Sequence, residues 1–256
     1  MGQKTNPQAL RIGITQQYLS DWYTAKTEYP TIIKQDLEIR KTIYNNFKSI
    51  SPIAAIHIKK NLAGKNSQAT FNIIITALYP RIKSIAKLIT RYSFFEQSRS
   101  RLSFLIKKKV ASQKEVKIKY KNLTTFFICF FQSKIRSIAR TISKFLKSKA
   151  KISFSLIQNP LKKAALTAHQ IGEQLEKRLP FKRILKQTLR KMEIAGLAGA
   201  KIELSGRLNG IEIARSEWNK FGKIPLHSLE SNIDYVSYHV KTIYGVIGIK
   251  VWIYNN

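Results

Sequence analysis

Downstream of Pro180 the apolar positions recur at helical spacing. Phe181, Ile184, Leu185, Leu189 and Met192 fall on one arc at 100° per residue, and Lys182, Arg183, Lys186 and Arg190 fall on the opposite one. The pattern predicts an amphipathic helix reaching Met192 or just beyond, with Pro180 at its first position, where a missing N–H costs nothing. Gly196 and Gly199 stop it. The period then drops to two: Ile202 and Leu204 alternate with polar neighbours in Lys201 to Leu208, and Ile211 and Ile213 alternate after Asn209-Gly210. Asn-Gly between two such runs predicts a hairpin, because a type I′ turn needs positive φ at both central residues. From Ile243 to Tyr254, one strand face carries Ile247, Ile249, Val251 and Ile253, and the other carries Lys250, Trp252 and Tyr254. One or two helices over an antiparallel sheet follow.

The first half is patterned more weakly. Leu37 to Ile50 reads as a helix, Ile53 to Lys59 and Thr70 to Thr76 as strands, and Ile82 to Tyr92 as a second helix, which makes a small α+β module. Glycine is absent from Lys65 to Ile171, and much of that stretch is built from Lys, Ser, Ile and Phe. Within it, Ile135, Ile138, Ala139, Ile142, Phe145 and Leu146 predict a basic amphipathic helix over Gln132 to Lys149. No internal repeat is present. The chain therefore divides into an N-terminal segment and module over 1–92, a basic insert or linker over 93–167, and a C-terminal domain over 168–256.

Charge changes this picture from a fold to a partner. Lys and Arg number 46 against 14 Asp and Glu, a formal net charge of +32. A field of that size attracts polyanions, and nucleic acid fits best because each neutralised phosphate releases condensed counterions. Between Glu38 and Glu173 only Glu96 and Glu115 are acidic, so that span has no means of neutralising itself. A membrane surface is the rival partner, yet the longest apolar stretch, Leu123 to Phe131, is far short of the ~20 residues that cross a bilayer. Asn6 stands where a myristoylation signal wants Ser or Thr, and the N-terminus has neither an apolar signal core nor an Arg- and Ser-rich transit segment. The expectation is a chain used where it is made, in no contact with membrane. Cys129 is the sole cysteine, so no disulfide framework or cysteine-based zinc cluster is available, and the compartment reads as reducing.

The most informative candidate site is the four-cation face of the helix after Pro180. A row of flexible cationic heads meets the phosphates spaced along an RNA backbone, although a solvated charged face is the ordinary reading of such a stripe. Gly196-Leu197-Ala198-Gly199 has the GxxG form with which KH modules clamp RNA, but it lies between a helix and a strand, where helix termination explains it better. His57, His169, His227 and His239 are dispersed, without the short spacing of a zinc site, and read as surface hydrogen-bonding residues. Glu203, Glu212, Glu217 and Asp234 cluster in sequence; they offer Mg²⁺ ligands for phosphodiester cleavage or, more simply, salt-bridge partners for the abundant cations. Trp218, Tyr235, Tyr238 and Trp252 are able to stack on bases, although core packing claims most of them. No P-loop, dinucleotide GxGxxG or GxSxG elbow occurs, so no cofactor or metal is expected.

The opening MGQKTNPQALRIGIT and the closing SGRLNGIEIARSEWNKFGKIPLHSLESNIDYVSYHVKTIYGVIGIKVWIY resemble the small-subunit ribosomal protein S-three family, over Met1 to Arg40 and His169 to Tyr254, about half the chain. The Tyr235 to Val240 segment is more similar to plastid members, which implies the plastid stroma, with the mitochondrion ranked behind it. The resemblance implies an N-terminal KH module of the second type and a C-terminal two-layer α/β domain with an antiparallel sheet. It implies binding to the 3′ major domain of the small-subunit rRNA, contact with the S-ten, S-fourteen and S-two proteins, and an mRNA entry channel lined jointly with S-four and S-five. Lys182, Arg183 and Lys186 match the family's basic triplet that touches incoming mRNA. With Arg190, Lys4, Arg11, Arg207 and Arg215 they form the expected RNA-binding set. Two departures stand out. The KH loop near Leu78 to Lys83 has no glycine, so that module is expected to act as a degenerate KH-like scaffold that does not read single strands. The segment after Tyr92 is longer than the bacterial link and is expected to be disordered alone or to fold on rRNA. The competing functional class is an organellar RNA-processing factor, a nuclease or maturase-like protein using the C-terminal carboxylates.

Overall fold

The computed structural model describes residues 5–47, 51–61, 70–78, 132–146 and 148–255. Two four-stranded sheets, each backed by helices, make up the described chain. The first begins with a single helical turn, α1 (Pro7–Leu10), which Asn6 caps by accepting from the Gln8 N–H at 2.9 Å. There follow β1 (Ser20–Asp21), α2 (Tyr29–Phe47), β2 (Ile53–Asn61), β3 (Thr70–Leu78), a helix α3 over 132–146, and β4 (Lys149–Ile157). The spatial order is β1-β2-β3-β4, with β2 and β3 antiparallel and the outer pairs parallel. On β3 the alternation buries Phe71, Ile73, Ile75 and Ala77. Against that face pack Ile39, Ile43 and Phe47 of α2 and Ile138, Ile142 and Leu146 of α3.

Both expected strands are present here, each slightly extended. The helix α2 starts at Tyr29, ahead of the expected Leu37, and Pro30 sits in its first turn, where proline is tolerated. The chain expected as an insert or linker over 93–167 is in part structural, because residues 132–157 give this sheet a covering helix and a full strand. Along that strand Ala150, Ile152 and Phe154 turn toward the core and alternate with Lys149, Lys151, Ser153 and Ser155, a period-two signal set inside a lysine- and serine-rich stretch that reads as a linker. Parallel pairing of β3 with β4 requires a long crossover, and the chain between them supplies it. The expected helix at Ile82 to Tyr92 lies outside the described residues, as do Tyr79 to Lys83 of the glycine-free loop.

The second sheet follows a short 3₁₀ turn at Pro160–Lys162. Two helices, α4 (Ala164–Glu176) and α5 (Phe181–Ile194), precede β5 (Gly199–Gly206), β6 (Arg215–Gly222), β7 (Asn232–Thr242) and β8 (Gly245–Asn255). The strand order is β6-β5-β8-β7, antiparallel throughout. The expected β8 face is buried, with Ile247, Ile249, Val251 and Ile253 packed beneath Ala168 and Ile171 of α4 and Ile184 and Leu185 of α5. At Gly199 a side chain is excluded, since a Cβ would lie 2.2 Å from the Lys223 carbonyl oxygen.

The hairpin expected at Asn209-Gly210 takes another form. Both residues have positive φ, 59° and 81°, as that dipeptide predicts. They sit within a broad loop over 207–214, and β5 is closed by Arg215 pairing with Gly206. Leu208 drops into the core and pulls the chain across the end of the sheet, which leaves Ile211 and Ile213 at 42 % and 80 % exposure, outside any strand. The tight two-residue turn is instead Ile243-Tyr244, between Thr242 and Gly245 of β7 and β8.

Candidate nucleic-acid interface

The helix α5 separates its two kinds of side chain cleanly. Phe181, Ile184, Leu185 and Met192 are buried, and Lys182, Arg183, Lys186 and Arg190 lie on the opposite, solvent-facing side. Thr188 occupies the inner position that periodicity gave to Leu189, which is half-buried at the margin; its hydroxyl satisfies itself by donating to the Ile184 carbonyl at 2.7 Å. Pro180 is the residue just before the helix, one place ahead of the expected position. At the far end Gly196, at φ 74°, turns the chain out of the helix, and the Leu197 N–H bonds back to the Met192 carbonyl at 3.3 Å. The GxxG sequence thus ends α5 and starts β5, the geometry of a helix stop.

The remaining expected cations separate. Arg215 lies beside the start of α5, its Cζ 5.8 Å from the centre of the Phe181 ring, with its Nε 3.7 Å from Glu217. Arg207 is half-buried and braces the 207–214 loop, donating to the Ile211 carbonyl at 3.0 Å and reaching the Tyr244 carbonyl at 3.4 Å. Lys4 lies outside the described residues. Arg11 is a correction, because its side chain is 0 % exposed and unavailable to RNA. Its guanidinium donates to the carbonyls of Ser231 at 2.8 Å, Pro7 at 2.9 Å and Ser228 at 2.7 Å, so it fastens the N-terminal turn to the segment leading into β7. Periodicity offers no sign of this, since an arginine between Leu10 and Ile12 in a stretch too short to show a period looks the same whether it faces solvent or carbonyls.

The four carboxylates do not converge. Glu203 lies between Lys201 at 3.7 Å and Lys250 at 3.8 Å, Glu217 faces Arg215, and Glu212 is exposed in the 207–214 loop. Asp234 accepts the Ala164 N–H at 2.8 Å, capping α4, and burial raises its carboxyl above the usual range against the pull of that bond and of Lys163. Among the described residues no three His, Cys, Asp or Glu side chains gather to hold a metal ion. His169 stands 3.4 Å from Glu173, and burial lowers His57. Trp252 is buried against Tyr235 at 5.1 Å between ring centres, while Trp218 is half exposed under the Lys201 ammonium, 4.9 Å from its ring. No helix among the described residues is long and apolar enough to cross a membrane.

A basic chain of two helix-backed sheets with a one-sided cationic helix, in which Glu203 and Glu217 pair with cations and Asp234 caps α4, has the make-up of a structural nucleic-acid-associated protein. The family model described as Ribosomal protein S3, C-terminal domain, matches residues 171–253. The chain is 34 % identical to small ribosomal subunit protein uS3c of Tupiella akineta, covering 98 % of this chain and 97 % of the relative. It is 34 % identical to uS3 of Phytoplasma sp. (strain STRAWB2), over 100 % and 82 %, and 31 % identical to uS3 of Coxiella burnetii (strain RSA 331 / Henzerling II), over 99 % and 89 %. The chain belongs to the uS3 family of small-ribosomal-subunit proteins. Members are structural ribosomal proteins and not enzymes, which removes the nuclease or maturase-like alternative.

Proposed function

We propose that this chain is a structural component of the small-subunit head in a plastid ribosome, binding the 3′ major domain of the rRNA and presenting α5 to mRNA at the entry channel. The observation that carries this reading is the split of α5. Its apolar half is locked into the second core, so Lys182, Arg183, Lys186 and Arg190 are held at fixed spacing on a rigid support. Phosphates are met by such heads without base specificity, and no nucleotide hydrolysis is required. Arg215 extends the cationic surface beside the start of the helix. The triplet keeps its charge throughout; Lys182 supplies a point charge where an arginine would add bidentate geometry.

The first sheet, with its order of helix, two strands, helix and strand, is read as the degenerate KH-like module of the second type. Its span runs to the end of β4 at Ile157, with the C-terminal domain from Ala164 onward. The neighbours proposed are S-ten, S-fourteen and S-two, with S-four and S-five sharing the channel. The plastid stroma is favoured over the mitochondrion because uS3c proteins, such as that of Thalassiosira pseudonana, are among the relatives. A sucrose gradient of the native organelle, probed for this chain, tests the placement: it should sediment with small subunits in full stoichiometry. The same gradient with Lys182, Arg183 and Lys186 changed to alanine should show normal assembly, with slowed passage of ribosomes through structured mRNA. A chain running free of complete subunits refutes the reading.

A further inference from the structure

At the end of the second sheet nearest the start of α5 lies a groove of about 360 Å³, unrelated to the solvent-facing stripe of that helix. Its apolar wall comes from Leu179, Pro180 and Phe181 on one side and from the Ile243-Tyr244 turn on the other. Arg178, Arg207 and Lys241 stand on its rim with a single acid, Glu176. The two non-glycine residues with positive φ among the described ones, Arg178 and Asn209, both at 59°, line this same groove. Arg178 follows α4 at the position where glycine is the usual helix stop, so the backbone is strained there to keep a guanidinium. Tyr244 is half exposed, and a Cβ built on Gly210 would meet its Cε1, Cζ and Cε2 at 3.1, 3.1 and 3.2 Å. The glycine therefore lies flat on one face of the tyrosine ring and leaves the other as a platform. Ile243 beside it is exposed as well.

A small apolar slot with an aromatic platform and a net cationic rim matches a nucleotide better than an apolar peptide. Every base has a π-face to stack, and its flanking phosphates seek the rim. We propose that the groove takes one nucleotide of single-stranded RNA, its base on the open face of Tyr244 and its phosphates on Arg178, Arg207 and Lys241. This rests on the RNA-binding reading of α5 and deepens it: α5 holds backbone, and the groove beside Pro180 and Phe181 holds a base. Strands carrying an unpaired nucleotide are then favoured over fully paired ones at this end of the helix.

The test titrates the full chain with two short single strands of equal length and charge, one ordinary RNA and one lacking bases. Tyr244→Ala should weaken binding of the ordinary strand about tenfold, the loss of one base–aromatic stack, and leave the base-free strand unchanged. Tyr244→Phe should restore wild-type affinity. Arg178→Gly, which relieves the positive-φ strain and so keeps the fold, should weaken both strands alike and reduce the salt slope by about 0.7. No loss with Tyr244→Ala, an equal loss on the base-free strand, or displacement of the RNA by an acidic apolar peptide that contacts Tyr244 overturns the proposal. If Lys182→Ala with Arg183→Ala weakens both strands while Tyr244→Ala does nothing, the groove fails alone. If neither matters, the reading of α5 fails with it.

Discussion

Arg11 shows how far a single side chain departs from what its charge suggests. A fully buried guanidinium that pairs with no carboxylate among the described residues is tolerated here because backbone carbonyls of Pro7, Ser228 and Ser231 point their partial charges at it. Truncation to alanine leaves those carbonyls unsatisfied in the interior, and the cost is about 3 kcal/mol, with Arg11→Lys recovering only part because one ammonium lacks the fork geometry. Thermal unfolding of the two variants checks this, and RNA affinity below the unfolding range should be unchanged. Asp234 is the second such residue. Burial raises its folded pKa above the unfolded value, so the native state holds the proton more tightly, and the stability due to this group falls as pH rises from the ordinary carboxylate range through the raised value. Asp234→Asn keeps an oxygen for the Ala164 N–H and cannot ionise. Its stability, followed by denaturant titration across acid pH, should lose that downward slope and equal or exceed the wild type near neutrality.

At the scale of elements the decisive test is again α5. Its cations face solvent, so changing Lys182, Arg183 and Lys186 together to alanine should move stability by no more than about 1 kcal/mol, while the salt slope of single-strand RNA binding falls by about 2, near 0.7 for each phosphate no longer neutralised. A large stability loss with an unchanged slope would assign the triplet to the fold instead. At the opposite extreme is Gly199→Ala, where the new Cβ strikes the Lys223 carbonyl and the β5–β6 edge must part; a loss of about 2–4 kcal/mol in denaturant unfolding is expected. The sequence made α5, β8 and the β2 and β3 strands of the first sheet legible because most of their apolar positions keep one period. It misplaced β6 because Asn209-Gly210 announces positive φ but not how many residues share the loop, and burial of Leu208 decided that. β4 was missed for another reason: Ala150, Ile152 and Phe154 do alternate with lysine and serine, but the pairing with β3 is set by a partner far away in sequence and the biased composition around it reads as a linker. The cationic face was visible from spacing alone, but the groove beside it was not, since Arg178, Arg207 and Tyr244 come together only through the turns that close the second sheet.

For the molecule as a whole, the formal charge of +32 sets two opposite responses to salt. In the free chain the cations repel across the surface, and acids such as Glu203, held between Lys201 and Lys250, are too few to offset them. Screening shortens from about 10 Å at 0.1 M to about 3 Å at 1 M, so added salt removes self-repulsion before it harms burial of the two cores. The melting temperature of the free chain should therefore climb by a few degrees between 0.1 and 0.5 M NaCl, where each 1 kcal/mol moves a chain of this size by about 2–4 °C. Affinity for RNA should move the other way, dropping about 10³-fold or more from 50 to 200 mM if six or more phosphates are neutralised. Calorimetry and a filter-binding titration on one preparation read both. A melting temperature flat in salt would mean that the +32 is spread too widely for self-repulsion to strain the fold, and an affinity for RNA equally flat in salt would remove the electrostatic case for an external polyanion.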